Sequence, residues 1–455
     1  MDLVYLLPAF MFLALAALLF SGFPVAWVLG GVGIGFGFIG MYYDVFEFIY
    51  FFNVISRIWG TAAENLILVA VPMFIFMGTM LERSGVANDL LHCLQVLLRR
   101  TPGGLALSVT IMGTIMAATT GIIGASVVMM TLLALPVMLE RGYHVPLATG
   151  TIAASGTLGI LIPPSIMLVI MADLLSISVG TLFLAAIFPG LLLAGLYLVY
   201  IYARAYFNPG LAPPLPDSMG PESRYELWIM VGRSFVPPIL LIVFVLGSIF
   251  AGWATPTEAA GVGALGALLL AVMNRKLNYR VLKDVLIRSA LTIGMIFGIF
   301  LGATCFSYVY RVLGGDDVVH NLIMNIGLGD WGLLFLMMGM VFVLGFFFDW
   351  IEITLIVLPL FSPIMRAMDF GTHIPYSVDI VPWITILLAV NLQTSFLTPP
   401  FGFALFYMKG VAPPQVKMQQ IYRGIIPFVT LQLIGLGFVI GFPQLALWLP
   451  HSLLD

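Results

Sequence analysis

Two stretches of the chain set small hydroxyl and amide side chains just before paired prolines. The first reads Ala153-Ala154-Ser155-Gly156-Thr157-Leu158-Gly159-Ile160-Leu161-Ile162-Pro163-Pro164-Ser165. The second reads Val390-Asn391-Leu392-Gln393-Thr394-Ser395-Phe396-Leu397-Thr398-Pro399-Pro400-Phe401-Gly402. Proline has no amide N–H and pushes the residue before it out of the α region. Each pair therefore breaks a helix and frees backbone carbonyls beside Ser155, Thr157, Asn391, Gln393, Thr394 and Thr398. Neutral oxygens next to unwound backbone suit Na⁺. The helix that restarts after each pair aims the positive end of its dipole into the break, which suits an anion. Serine and threonine also commonly bond back to their own helices, and for each hydroxyl that reading competes with a ligand role.

A second polar feature precedes each break. The apolar stretch 105–139 is interrupted by Ala118-Thr119-Thr120-Gly121-Ile122-Ile123-Gly124-Ala125-Ser126, and 331–366 by Phe348-Asp349-Trp350-Ile351-Glu352-Ile353-Thr354. Each reads as two half-length helices meeting at a polar tip, a hairpin that enters lipid and returns. Such backbone is tolerated only when buried in protein or lining a wet cavity. Asp349 and Glu352 are acids in apolar surroundings, where function is the first expectation. Asp349 is equally suited to cap the returning helix, and Glu352 to reach the headgroup region. Glu258, in Thr255-Pro256-Thr257-Glu258, is placed to cap first-turn amides.

The elements that must position these residues follow from composition. The chain has 455 residues, 61% of them apolar and 9% charged, whereas soluble domains carry roughly 25% charge. Lipid is therefore the solvent. Spanning a bilayer takes about 20 apolar residues, and runs of this kind recur at 3–20, 24–39, 66–81, 179–202, 229–250, 254–273, 290–310, 331–348 and 427–449. With the shorter pieces, about 10–12 crossings or re-entrant hairpins are expected. The short alternating segments of a membrane β-barrel do not occur. Met1-Asp2-Leu3 carries no basic n-region, so the first run reads as a retained helix and not a cleaved signal.

A proline-rich segment, 207–226, divides the chain into 1–206 and 227–455. The Pro-Pro pairs lie 399 − 163 = 236 residues apart, close to half of 455. Hairpins at about 105–139 and 331–366 and broken spans at about 146–175 and 380–410 thus recur in register. The expected architecture is an all-α polytopic membrane protein of two inverted-topology repeats with re-entrant hairpins and proline-broken helices. Interrupted segments at matching places in two halves point to a transporter's binding site.

Other features lead away from chemistry. Gly261-Val262-Gly263-Ala264-Leu265-Gly266 fits a dinucleotide pattern but lies in an apolar helix with no preceding strand, and helix packing explains it better. Gly31, Gly33, Gly35 and Gly37 read the same way. There is no Walker loop, the five histidines show no paired metal spacing, and two cysteines support neither a disulfide framework nor a thiolate site. Arg275, Lys276, Arg280, Lys283 and Arg288 suggest an amphipathic helix lying on the cytoplasmic face. The net charge of −3 gives no pointer to nucleic acid, and membrane lipid is the expected surrounding.

Four stretches resemble the large membrane subunit of tripartite ATP-independent periplasmic (TRAP) transporters. They are Val71-Pro72-Met73-Phe74-Ile75-Phe76-Met77-Gly78 with Ser84-Gly85, Ala254-Thr255-Pro256-Thr257-Glu258-Ala259, Phe347-Phe348-Asp349-Trp350 with Pro359, and the run from Asn391 to Gly402. The resemblance covers essentially the whole chain. It implies an elevator-type subunit of the bacterial inner membrane, working with a small four-helix membrane subunit and a periplasmic substrate-binding protein, and carrying Na⁺ with carboxylates. It implies one Na⁺ site at Thr119, Thr120 and Gly121 with Ala154, Ser155 and Thr157. A second would draw on Phe348 and Asp349 with Asn391, Gln393 and Thr394. Substrate would then meet Pro163, Pro164, Ser165, Thr398, Pro399 and Pro400. Many relatives have a Ser/Gly-rich first tip where this chain has Thr119-Thr120-Gly121-Ile122-Ile123-Gly124; backbone carbonyls could serve there. The leading expectation is a Na⁺-coupled organic-acid carrier, the alternative a stand-alone anion carrier of similar architecture. A membrane enzyme would need a nucleophile–base pair, a metal cluster or an Asp-rich motif, none of which the sequence offers.

Overall fold

A computed structural model describes residues 3–120, 123–216, 220, 223–399 and 402–454; the side chains of 3, 117–120, 224, 320 and 322–326 are not among those described. Gly121 and Pro400 therefore lie outside the described residues, as do the side chains of Thr119 and Thr120.

All regular elements among the described residues are helices. In hydrocarbon the backbone must satisfy itself, and a helix does so within one segment. Nine of these helices are long and apolar enough to cross a membrane. A tenth span forms if 50–63 and 67–83, bent by 56°, are counted as one.

Three sequence expectations are refined. The basic segment is not a separate surface helix. Asn278 caps Val281 N at 2.9 Å, and one uninterrupted helix then runs from Tyr279 to Val312. No breaker follows Arg288, so Arg280, Lys283 and Arg288 form the leading turns of this helix. Its 34 residues reach about 50 Å, beyond a hydrocarbon core of about 30 Å. The run 427–449 is cut between helices Met418–Gly441 and Gln444–Leu454, where Pro443 supplies no N–H. The segment after Phe207 is tied to the first half: His144 N bonds Leu211 O at 2.9 Å and Leu215 N bonds Arg99 O at 3.0 Å.

A pair of helices flanks each polar interruption, giving a first and a second hairpin. Gly104–Thr120 and Ile123–Glu140 run antiparallel. Leu105 N donates to Tyr143 Oη at 3.2 Å at the open end, and a Cβ on Gly113 would lie 2.5 Å from Met130 Cε. Asp330–Leu344 and Trp350–Ala367 are closed at their open end by Asp369 N on Asp330 Oδ2, 3.3 Å. The arms of this second hairpin touch little. Its outer arm lies instead on the following helix, Ser377–Ser395.

Two further helical stretches are interrupted near their prolines. Val145–Thr157 continues as a 3-10 turn, Leu158–Ile160, and restarts as Ile166–Leu175. Ser377–Ser395 ends at Phe396 and restarts as Phe403–Val411. Packing between the halves is reciprocal. The returning arm of the first hairpin packs on Phe403–Val411, and that of the second on Ile166–Leu175. Ser377–Ser395 is the innermost of the candidate spans, 89% buried, against 11% for 225–250 on the periphery.

Candidate functional site at the crossing of two broken spans

The two broken spans meet just before their breaks. Gln393 Nε2 lies 3.5 Å from Thr157 Oγ1, with both residues fully buried. Gln393 Oε1 is buried and bonds to no described group. An orphaned buried acceptor costs about 1–3 kcal/mol, so a cation or a polar ligand there would repair a defect. Thr151 Oγ1 and Thr354 Oγ1 share that condition. Sequence reasoning did not single out either, because a threonine within a helix ordinarily bonds its own backbone.

The remaining hydroxyls divide by partner. Thr394 donates to Val390 O at 3.2 Å, Ser395 to Asn391 O at 3.1 Å, Thr398 to Thr394 O at 2.8 Å and Thr157 to Ala154 O at 2.9 Å. Each bond uses the hydroxyl proton and leaves a lone pair on the oxygen. Ser155 reaches out of its helix to Thr110 Oγ1, 3.2 Å away on the first hairpin. Thr110 had no signal in the sequence. Asn391 Nδ2 donates to Met338 O at 2.7 Å, binding the outer arm of the second hairpin to its broken span.

The breaks themselves are built differently. In the first, Pro163 and Pro164 are buried, and Ser165 donates to Ile160 O while accepting from Leu168 N as the cap of Ile166–Leu175. Among the described residues nothing donates to the carbonyls of Leu161, Ile162 and Pro163. In the second, Pro399 is exposed and Thr398 half-buried. Gly402 begins the next helix at φ +30°. A side chain there would be strained in backbone, and its Cβ would sit 3.0 Å from Leu405 Cδ1.

The tip of the second hairpin is a capping device. Asp349 Oδ1 accepts from Trp350 N at 2.8 Å, and Glu352 Oε2 returns to accept from Asp349 N at 3.2 Å, a reciprocal box. Glu352 is therefore buried and folded back onto the start of its own helix. Phe348 sits with its ring 6.3 Å from that of Phe20. Glu258 caps as its sequence indicates, accepting from Thr255 N at 2.8 Å. At the first tip, Thr119 and Thr120 end the outer arm.

Buried amide and hydroxyl groups at crossed, interrupted helices, inside a ring of apolar spans, define a polytopic helical membrane protein with a polar centre. Residues 12–445 match the family described as the tripartite ATP-independent periplasmic transporter, DctM component. The chain is 30% identical to the C4-dicarboxylate TRAP transporter large permease protein DctM of Pseudomonas aeruginosa, over 86% of this chain and 88% of that one. It is 30% identical to the ectoine/5-hydroxyectoine TRAP transporter large permease protein UehC of Ruegeria pomeroyi, over 97% and 98%. Among solved structures, the YdaH transporter of Alcanivorax borkumensis superposes with a TM-score of 0.59 at 14% identity, covering 86% of this chain and 87% of that one, a likeness of fold.

The chain belongs to the DctM component family of TRAP transporters. It is a multi-pass permease subunit and not an enzyme.

Proposed function

We propose that this chain is the large permease of a Na⁺-coupled carrier for small organic acids in the bacterial inner membrane. Substrate is delivered by a periplasmic binding protein, and a small four-helix membrane subunit completes the complex. C4-dicarboxylates are the first class to test, since several relatives are named for them. The observation that carries the reading is the contact of Thr157 with Gln393. It joins two proline-broken spans in the buried centre, leaving a carbonyl oxygen with no partner.

The residues fit a small, hard cation, which takes neutral oxygens. Gln393 and Thr394 would serve with Asn391 and the backbone of Phe348 and Asp349. Thr157 and Ser155 would serve with Ala154 and the first tip, Thr119 to Gly121. The acid would lie at Pro163, Pro164 and Ser165 and at Thr398, Pro399 and Pro400, facing the amides of the two restarted helices. The reciprocal packing between halves supports two repeats of inverted topology. It also supports an elevator in which hairpins and broken spans move as one body.

Reconstitution tests this directly. Proteoliposomes holding both membrane subunits should accumulate succinate only with the binding protein outside and an inward Na⁺ gradient. Uptake indifferent to both would overturn the reading.

A further inference from the structure

A second polar space lies away from the crossing of the breaks. It is a cavity of about 390 Å³, within the range of small-molecule sites. One wall is Arg57, Asn65 and the stretch Phe300–Arg311 of the long helix. The other is Asp173 with Leu355, Pro359 and Pro363 of the second hairpin's returning arm.

Its charge is cationic. Arg57 lies 4.8 Å from the centre of the Tyr308 ring, and no carboxylate pairs with it among the described residues. Arg311 donates from Nη2 to Pro359 O at 3.0 Å and meets Asp316 only loosely, at 3.8 Å. The carbonyl it takes is available because Pro363, four residues on, has no N–H to offer it. Pro359 does the same for Leu355. The one carboxylate in the lining, Asp173, is held by Asn65 Nδ2 at 2.7 Å. The lining therefore carries two guanidiniums against one carboxylate, an excess of one positive charge; the bond from the neutral Asn65 amide leaves the Asp173 charge in place, and Asp316 lies outside the lining. Each guanidinium has five donors, most of them uncommitted.

We propose that this cavity is an anion-binding vestibule, where Arg57 and Arg311 hold a carboxylate of a small dicarboxylic acid between the long helix and the second hairpin. The choice of a dicarboxylate rests on the organic-acid reading above. The cationic character of the cavity does not. Walls from two packing groups mean that an occupant touches both, so the vestibule collects substrate where the hairpin meets the long helix.

The test places a reporter in the cavity wall. Ser307→Cys, in a chain carrying Cys93→Ala and Cys305→Ala, is modified in the reconstituted complex by an anionic or a cationic methanethiosulfonate of similar size. Focusing by two arginines should raise the anionic-to-cationic rate ratio about tenfold over that of a free thiol. Arg57→Gln or Arg311→Gln should reduce the ratio several-fold, while Arg57→Lys and Arg311→Lys keep it. Millimolar succinate should slow both reagents in the arginine-bearing chain and leave the Arg57→Gln/Arg311→Gln chain unaffected. A ratio equal to that of free thiol, a ratio unmoved by glutamine, or no protection by succinate overturns the proposal. Loss of Na⁺-driven uptake with the ratio and protection intact would instead end the coupling reading and leave the vestibule standing.

Discussion

Thr157 and Gln393 stand at the same place in the two halves, each six residues before the first proline of its pair (163 − 157 and 399 − 393). They are 3.5 Å apart. The contact sets a buried amide against a buried hydroxyl, joining positions that the sequence separates by 236 residues.

Removing either group should weaken ion binding more than folding. Gln393→Leu and Thr157→Val each delete an oxygen while keeping most of the volume. Each should raise the Na⁺ concentration for half-maximal uptake about tenfold, the equivalent of one interaction with a charged group. The check is a Na⁺ titration of uptake at saturating acid. An unchanged midpoint in both variants would remove this contact from the ion site.

Asp349 is predicted to act through its cap. Asp349→Ala loses the bond to Trp350 N and costs about 1 kcal/mol of stability. It should also slow uptake, because the tip frays. Asp349→Asn keeps an accepting oxygen and should hold both melting temperature and Na⁺ dependence near those of the parent. A large loss of Na⁺ dependence in the asparagine variant would make the carboxylate a ligand in its own right.

The tip also depends on one close approach. A Cβ on Gly345 would lie 2.2 Å from Ser395 Cβ, so Gly345→Ala forces the second hairpin off its broken span. Overpacking of this kind costs about 1–3 kcal/mol, read as a lower melting temperature in detergent. Adding Ser395→Gly should recover part of the loss, which an unrelated defect would not show.

Arg366, at the end of the second hairpin, donates to Leu175 O, the last carbonyl of Ile166–Leu175. Arg366→Met keeps the aliphatic stem and loses the bond. A decrease of about 1 kcal/mol is expected, with the midpoint of the Na⁺ titration unmoved. A shifted midpoint would show that this tie sets the ion site as well as the packing.

Much of the molecule is legible in its residues because lipid leaves the backbone few options. Low charge and long apolar runs dictate helices, and proline chemistry locates both breaks within a few residues. The capping roles of Glu258 and Asp349 follow from their places at helix starts, since N-cap geometry is local, whereas the return of Glu352 onto Asp349 N was not among the sequence expectations. The basic segment misled for a related reason. Composition registers charge, but Arg288 runs into Ser289 without a breaker, and only continuity of the hydrogen-bond ladder makes 279–312 one helix.

Pairing over distance was decided in three dimensions. Local sequence carries no record of which oxygen loses its partner once two helices cross, so Gln393, Thr354 and Thr151 become distinct from their neighbours only in the packed chain. The same holds for the cavity of Arg57 and Arg311. Its cations are 254 residues apart (311 − 57), and the carbonyl that orients one of them is exposed by a proline on a third element. Residue types and their order dictate what the chain is made of and where its helices must fail. Tertiary structure alone determined which of those failures face one another, because contact between distant segments depends on how whole helices pack and not on the residues beside each break.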